Sequence, residues 1–161
     1  MPQLWAPWRM DYILSDRKKK TCIFCPHKES DPERLILYRT PLSLIMLNRY
    51  PYAYAHLMIA PVRHVREVAK LTEEEMKDIF QNLGMAIKVL KKAFHPSGFN
   101  VGMNLGQVGG AGIVHHLHFH LVPRWKGDIN FMPLLAEVRI IPEHLQRTYE
   151  KLRTYFAKGK V

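Results

Sequence analysis

Three histidines alternate with apolar residues in the stretch His115-His116-Leu117-His118-Phe119-His120-Leu121-Val122. In an extended strand successive side chains point to opposite faces. His116, His118 and His120 would therefore share one face, about 6.5–7 Å apart along the chain, while Leu117, Phe119 and Leu121 enter the core. Imidazoles on an otherwise apolar strand need hydrogen bonds, a solvated cleft or a metal. Two chemistries suit them. The three rings could form one metal centre, as in hydrolytic zinc sites. Alternatively, one imidazole attacks phosphorus and its neighbours orient it and hold the phosphate. Just upstream lies Asn104-Leu105-Gly106-Gln107-Val108-Gly109-Gly110-Ala111-Gly112. Glycine permits close backbone approach, so amide N–H groups can converge on an anion. Donors placed where charge develops are what transfer at phosphorus requires. The glycines alone would fit a hairpin turn; beside three aligned histidines they favour phosphate chemistry.

A second set of chemistry-bearing residues is Cys22-Ile-Phe-Cys25. In a cytosolic chain this spacing reads as half of a metal site or as a redox pair before it reads as a structural disulfide. No helix signal starts at it, which argues against thioredoxin-like chemistry. Two further ligands would be needed to close a tetrahedral site.

The elements that must position these residues follow from pattern. A length of 161 residues suits one domain, expected to span 1–161 with extensions at about 1–21 and 126–161. The first 33 residues read as irregular, with a basic run from Arg17 to Lys20. Leu35–Tyr38, Leu42–Leu47, His56–Ala60, Phe99–Leu105 and His116–Pro123 read as strands. Thr72 and Glu75 form a capping box that opens a helix carrying Met76, Ile79, Phe80, Leu83, Ile87, Leu90 and Phe94 at helical spacing, all expected in the core. Pro96-Ser97-Gly98 stops it, and Leu145–Phe156 reads as a C-terminal helix. Strands, helix, strands, helix specify an α+β fold: an antiparallel sheet with a long central helix and a C-terminal helix.

Charge narrows the partners. The chain carries 24 basic and 14 acidic residues, a net +10, which suits nucleic acid, anionic lipid or a phosphorylated small molecule, or is simply a solvated basic surface. No apolar run approaches the roughly 20 residues of a membrane span. Met1–Arg9 has no signal-peptide core, so a cytoplasmic location is expected. A nucleic-acid module would need an aromatic and basic face. Tyr50, Tyr52 and Tyr54 could stack on a base or equally pack a loop on the sheet.

His116-Leu-His118-Phe-His120-Leu-Val122 resembles the histidine-triad motif. The resemblance runs roughly from 22 to 125 and includes Asn48, His56-Leu-Met-Ile-Ala-Pro61, Arg63-His64 and the glycine loop. The outer segments Leu4–Arg9 and Pro123–Pro133 are similar to the branch of diadenosine tetraphosphate phosphorylases and fragile-histidine-triad hydrolases. The resemblance implies cleavage of dinucleoside polyphosphates at the α-phosphorus through a nucleotidyl-histidine, with water or phosphate as acceptor. It makes His118 the nucleophile, puts His120 on the phosphate, and places His56 behind His118 to orient its ring. Asn48 matches a ribose contact, and Asn104, Gln107, Gly110, Ala111 and Gly112 the phosphate side. Where many members carry Ser or Gln, this chain has Ala111-Gly112-Ile113. Some relatives hold a structural zinc on residues matching Cys22, Cys25, His64 and His116, with His27 and His115 as the nearest competing ligands. Arg9, Arg63, Arg124 and Lys126 would steer a polyphosphate. The resemblance also implies a homodimer and a nucleotide substrate; without a membrane-length apolar run no membrane partner is expected, and nucleic acid is the less favoured partner. The same fold serves phosphoramidate hydrolases and nucleotide-binding regulators, which turnover separates.

Overall fold

The computed structural model describes residues 22–26, 28–128 and 143–157. Leu4–Arg9, the basic run, His27 and the segment after Asp128 lie outside these residues. Five strands, β1 (Ile36–Arg39), β2 (Ser43–Leu47), β3 (Leu57–Pro61), β4 (Gly98–Gly102) and β5 (Phe119–Arg124), form one sheet in the order β1-β2-β3-β5-β4. Every pairing is antiparallel. Helix α1 (Glu73–Phe94) follows β3 after a short 3-10 turn at Val68–Lys70, and α2 (Leu145–Ala157) packs on α1 and β1. The α+β reading therefore holds.

Strands β2 and β3 are buried on both faces. Ile45, Leu47, Leu57, Ile59, Leu117, Phe119 and Leu121 point to one core with Ile79, Leu83, Ala86, Val89 and Leu90 of α1 and Tyr149, Leu152 and Phe156 of α2. Leu44, Met46, Met58 and Ala60 point the other way, onto Phe24. Phe24 is fully buried. Burial of a phenylalanine side chain contributes about 2–3 kcal/mol, enough to dock the Cys22–Cys25 segment on this second face.

The central correction concerns β5. A strand over His116–Pro123 was expected, but pairing begins only at Phe119, opposite Ile59, and β4 ends with Gly102 opposite His120. The reason is β3, whose last residue Pro61 has no N–H to donate. The preceding chain bonds elsewhere: Leu117 N–H donates to the Val65 carbonyl at 2.7 Å, and His116 Nε2 donates to the Pro61 carbonyl at 2.9 Å. The alternation survives without the ladder, since Leu117, Phe119 and Leu121 all enter the helix-side core. β4 accordingly stops three residues before the expected Leu105.

Helix α1 starts where its capping box specifies. Glu75 N–H donates to Thr72 Oγ1 and Thr72 N–H to the Glu75 carboxylate. Met76 and Phe80, expected in the core, are exposed at 39% and 60%. The stripe that reaches the core is narrower and uses Ala86, Val89 and Ala93 instead. Glu75 does more than cap. Its carboxylate, 4% exposed, takes a bidentate pair from Arg63, which also donates to the Lys70 carbonyl. Glu75→Ala should therefore cost about 2 kcal/mol, against about 1 kcal/mol for Thr72→Ala, in denaturant titrations. Equal losses would show that the Arg63 clamp contributes nothing.

Candidate active site and metal cluster

The triad rings lie on the sheet face away from the helices. His120 pairs with Met58 and so shares its face. The rings of His116 and His118 both lie against Phe24, with centroids 5.1 and 4.9 Å away. His118 and His120 meet edge to face at 4.9 Å. His116, His118 and His120 are 1%, 4% and 9% exposed.

Each ring has one nitrogen committed to the protein. His116 Nε2 and His118 Nδ1 face the carbonyls of Pro61 and His116, both at 2.9 Å. A carbonyl only accepts, so both nitrogens carry protons. In the neutral rings this leaves lone pairs on His116 Nδ1 and His118 Nε2. Burial holds the pKa of both below the ordinary histidine value. His120 is pushed down to about 4, by burial and then by the neighbouring His118. All three are neutral at pH 7. Proximity to His118 adds to the penalty on charging His120 because two imidazolium ions repel.

His56 departs from expectation. It was expected behind His118, but its Nε2 lies 2.9 Å from His120 Nδ1. His118 needs no second imidazole, since the His116 carbonyl already holds its Nδ1. Asn48 is buried beside His56. Its amide nitrogen lies 3.2 Å from His56 Nδ1, and its oxygen accepts from Tyr50 N–H at 2.9 Å. Tyr52 rests on the His56 and His120 rings at 4.7 and 5.3 Å. Tyr54 packs against Phe94 and Trp125 and donates to Glu143, which is a structural role.

The lone pair on His116 Nδ1 points at the cysteines. It lies 3.2 Å from Cys22 Sγ and 3.7 Å from Cys25 Sγ, and His64 Nδ1 lies 3.0 Å from Cys25 Sγ. The four ligand atoms fall within 4.8 Å of one another. His115 is not part of this cluster. Two thiols and two imidazoles this close are a soft tetrahedral donor set of the kind zinc takes. Burial, with Cys22 beside it, pushes the Cys25 thiol up to about 11. A divalent cation would relieve that cost. Sequence reading missed Arg34. It is 6% exposed and donates to the carbonyls of Ile23 and Cys25 at 2.6 and 2.8 Å, which shapes the cysteine turn. No local pattern marks such a residue.

The glycine loop closes on itself. Gly110 N–H donates to the Gln107 carbonyl and Ala111 N–H to the Gly106 carbonyl. Those two amides, expected on phosphate, serve the loop's own turns. Asn104 Nδ2 donates to the Gly110 carbonyl at 3.2 Å. Gly110 sits at φ +85°, which disfavours other residues. Ile113 packs against the cluster that holds Phe24 and Met58, tying the loop's end to the triad face. Two of the arginines expected to steer substrate are engaged: Arg63 with Glu75, and Arg124 with Asp128 and Asn100. Lys126 is exposed, and Arg9 lies outside the described residues.

The HIT domain family matches residues 29–127. The chain is 38% identical over 167 residues to the AP-4-A phosphorylase of Mycobacterium tuberculosis, covering 98% of this chain and 86% of that one. It is 34% identical to the asymmetrical bis(5'-nucleosyl)-tetraphosphatase of Schizosaccharomyces pombe, covering 77% of this chain and 64% of that one. A zinc-bound histidine triad family protein from Mycobacterium smegmatis shares the fold, with TM-score 0.63 and 22% identity over 78% of this chain and 85% of that chain. The chain belongs to the HIT domain family. It is an enzyme of the nucleotidyl hydrolase or transferase class.

A Cβ at Gly109 would overlap the Leu105 carbonyl oxygen, which is backbone and cannot rotate away. Gly109→Ala should therefore open the loop. Hydrogen exchange at the Gly110 and Ala111 amides should speed up by about tenfold or more, the equivalent of one weakened hydrogen bond. Unchanged protection would contradict this account of the loop.

Proposed function

We propose that this enzyme cleaves dinucleoside polyphosphates, such as diadenosine tetraphosphate, at the α-phosphorus through a nucleotidyl-His118 intermediate. The observation that carries the reading is the bond from His118 Nδ1 to the His116 carbonyl, which leaves a lone pair on Nε2 of a ring kept neutral by burial. Nε2 attacks the α-phosphorus and the bond to the bridging oxygen breaks. His120 Nε2–H, buried and without a hydrogen-bond partner among the described residues, donates a hydrogen bond to the departing phosphate and stabilises the charge that develops there. In the second step water or inorganic phosphate attacks the nucleotidyl-histidine, the bond from phosphorus to Nε2 breaks to release neutral His118, and the proton of the attacking oxygen leaves to the product's phosphate groups or to solvent. Water yields a nucleoside monophosphate and phosphate yields a diphosphate. Asn104, Gln107 and Gly112 form the phosphate side in this reading. Asn48, whose amide also serves His56, borders the ribose.

Zinc belongs on Cys22, Cys25, His64 and His116 in this reading, supported by the donor set and by the His116 tautomer. Its chemistry there would be structural, neutralising the thiolates. The residues themselves do the work that matters to His118: the His116 ring, anchored to Pro61, fixes the carbonyl that holds it. A homodimer is supported by the edge strand β4, where Val101 is 45% exposed, and by exposed Phe80.

Incubation with diadenosine tetraphosphate, with and without phosphate, tests the substrate. Nucleoside diphosphate formed only with phosphate marks a phosphorylase. Monophosphate plus triphosphate formed without it marks a hydrolase. No cleavage, alongside release of amines from nucleoside phosphoramidates, would overturn the substrate assignment. His118→Ala should lose nearly all turnover, roughly 10³-fold or more, while still folding and binding nucleotide. Elemental analysis of protein purified without added metal should find about one zinc per chain; a Cys22–Cys25 disulfide and no metal would remove that assignment.

A further inference from the structure

His120 matters through Nε2, the nitrogen not bonded to His56, so the side of the ring that carries its proton decides what it can do. A neutral imidazole has one donor and one acceptor nitrogen. The His56–His120 bond alone does not say which ring donates. Main-chain amides settle the direction, because an N–H can only donate.

Tyr50 N–H donates to Asn48 Oδ1, so the Asn48 nitrogen faces His56 and is the donor there. Tyr52 N–H donates to the same atom, His56 Nδ1, at 3.1 Å. His56 Nδ1 thus accepts from two sides and carries no proton. The proton of neutral His56 sits on Nε2 and is donated to His120 Nδ1. The proton of neutral His120 is thereby placed on Nε2, the atom buried without a hydrogen-bond partner among the described residues. The Tyr52 ring lies across both imidazoles, with 44% of the residue still in solvent.

We propose that Tyr52 is a positioning residue for His120: its amide sets the proton of the His56–His120 pair toward the reacting phosphate, and its ring keeps water off the two imidazoles. This rests on the reading of His120 as the hydrogen-bond donor to the departing phosphate. Water at the His56–His120 bond would compete for both nitrogens and let the His120 proton move to Nδ1, where it cannot reach substrate. A ring laid over both imidazoles hinders that exchange. An orphaned buried N–H costs stability in the resting protein and recovers it when a phosphate oxygen accepts, as expected of an atom kept for a substrate.

The test is heteronuclear NMR of the imidazole nitrogens in the isotope-labelled full chain at neutral pH, with kinetics of three variants. Both rings should be neutral, with Nε2 protonated and Nδ1 accepting. Tyr52→Phe keeps both the amide and the ring, so the His120 proton should stay on Nε2. Tyr52→Ala keeps the amide and loses the ring: the His120 Nε2 proton should exchange faster, and kcat should fall about tenfold with KM changed less than about twofold. Tyr52→Pro removes the amide and should move part of the His120 proton to Nδ1. A His120 ring protonated on Nδ1 in the unaltered protein would overturn the proposal. So would Tyr52→Ala with unchanged kcat and unchanged proton exchange. The spectra need no turnover, so they decide the placement of the proton even if dinucleoside polyphosphates prove not to be the substrate.

Discussion

One hydrogen bond organises the site: His118 Nδ1–H to the main-chain carbonyl of His116, at 2.9 Å. It selects the tautomer of the central histidine and aims its lone pair outward. The bond depends in turn on where His116 sits. The His116 ring is held at one nitrogen by the Pro61 carbonyl, and its other nitrogen faces the cysteine pair. The cysteine–histidine cluster and the central histidine are therefore joined through one residue, by its side chain on one side and its carbonyl on the other. The links are short and mostly buried, where hydrogen bonds are least contested by water.

The fold supplies this arrangement by withholding regular structure. Had β5 begun at His116, that residue's carbonyl would have been available to a neighbouring strand. Pro61 ends β3, the chain turns toward Val65, and His116 and Leu117 bond to the Pro61 and Val65 carbonyls instead of extending the ladder. Below this level β5 is an ordinary strand, packing Phe119 and Leu121 against the helices. The triad rings thus sit at the boundary between a rigid sheet and a shaped turn, and Phe24 packs against those of His116 and His118.

Much of this was legible in the chain, for reasons that differ residue by residue. Side-chain alternation through Leu117, Phe119 and Leu121 is a property of extended backbone whether or not a ladder forms, so the shared histidine face could be read directly. The Thr72–Glu75 capping box is local and equally readable. The strand boundary was not, because Pro61 acts on His116 across 55 positions. The partner of His56 was not legible either: a resemblance gives roles, whereas the choice between His118 and His120 depends on register. Arg34 and Tyr52 act through main-chain groups, which no residue pattern encodes. Arg63 and Arg124 were read as charge for a ligand, but their nearby carboxylates, Glu75 and Asp128, take them up. Periodicity placed Met76 and Phe80 on the helix stripe without saying how far the sheet extends beneath it.

The central claim is that His118, held by the His116 carbonyl, becomes covalently nucleotidylated. The most direct measurement is mass spectrometry of the intact chain, and then of its peptides, after rapid mixing with diadenosine tetraphosphate and a denaturing quench under mildly alkaline conditions that spare phosphohistidine bonds. The account predicts a single nucleoside-monophosphate adduct on His118 that decays at the rate of turnover. An adduct on another residue, or sustained cleavage with no adduct at any quench time, would contradict it.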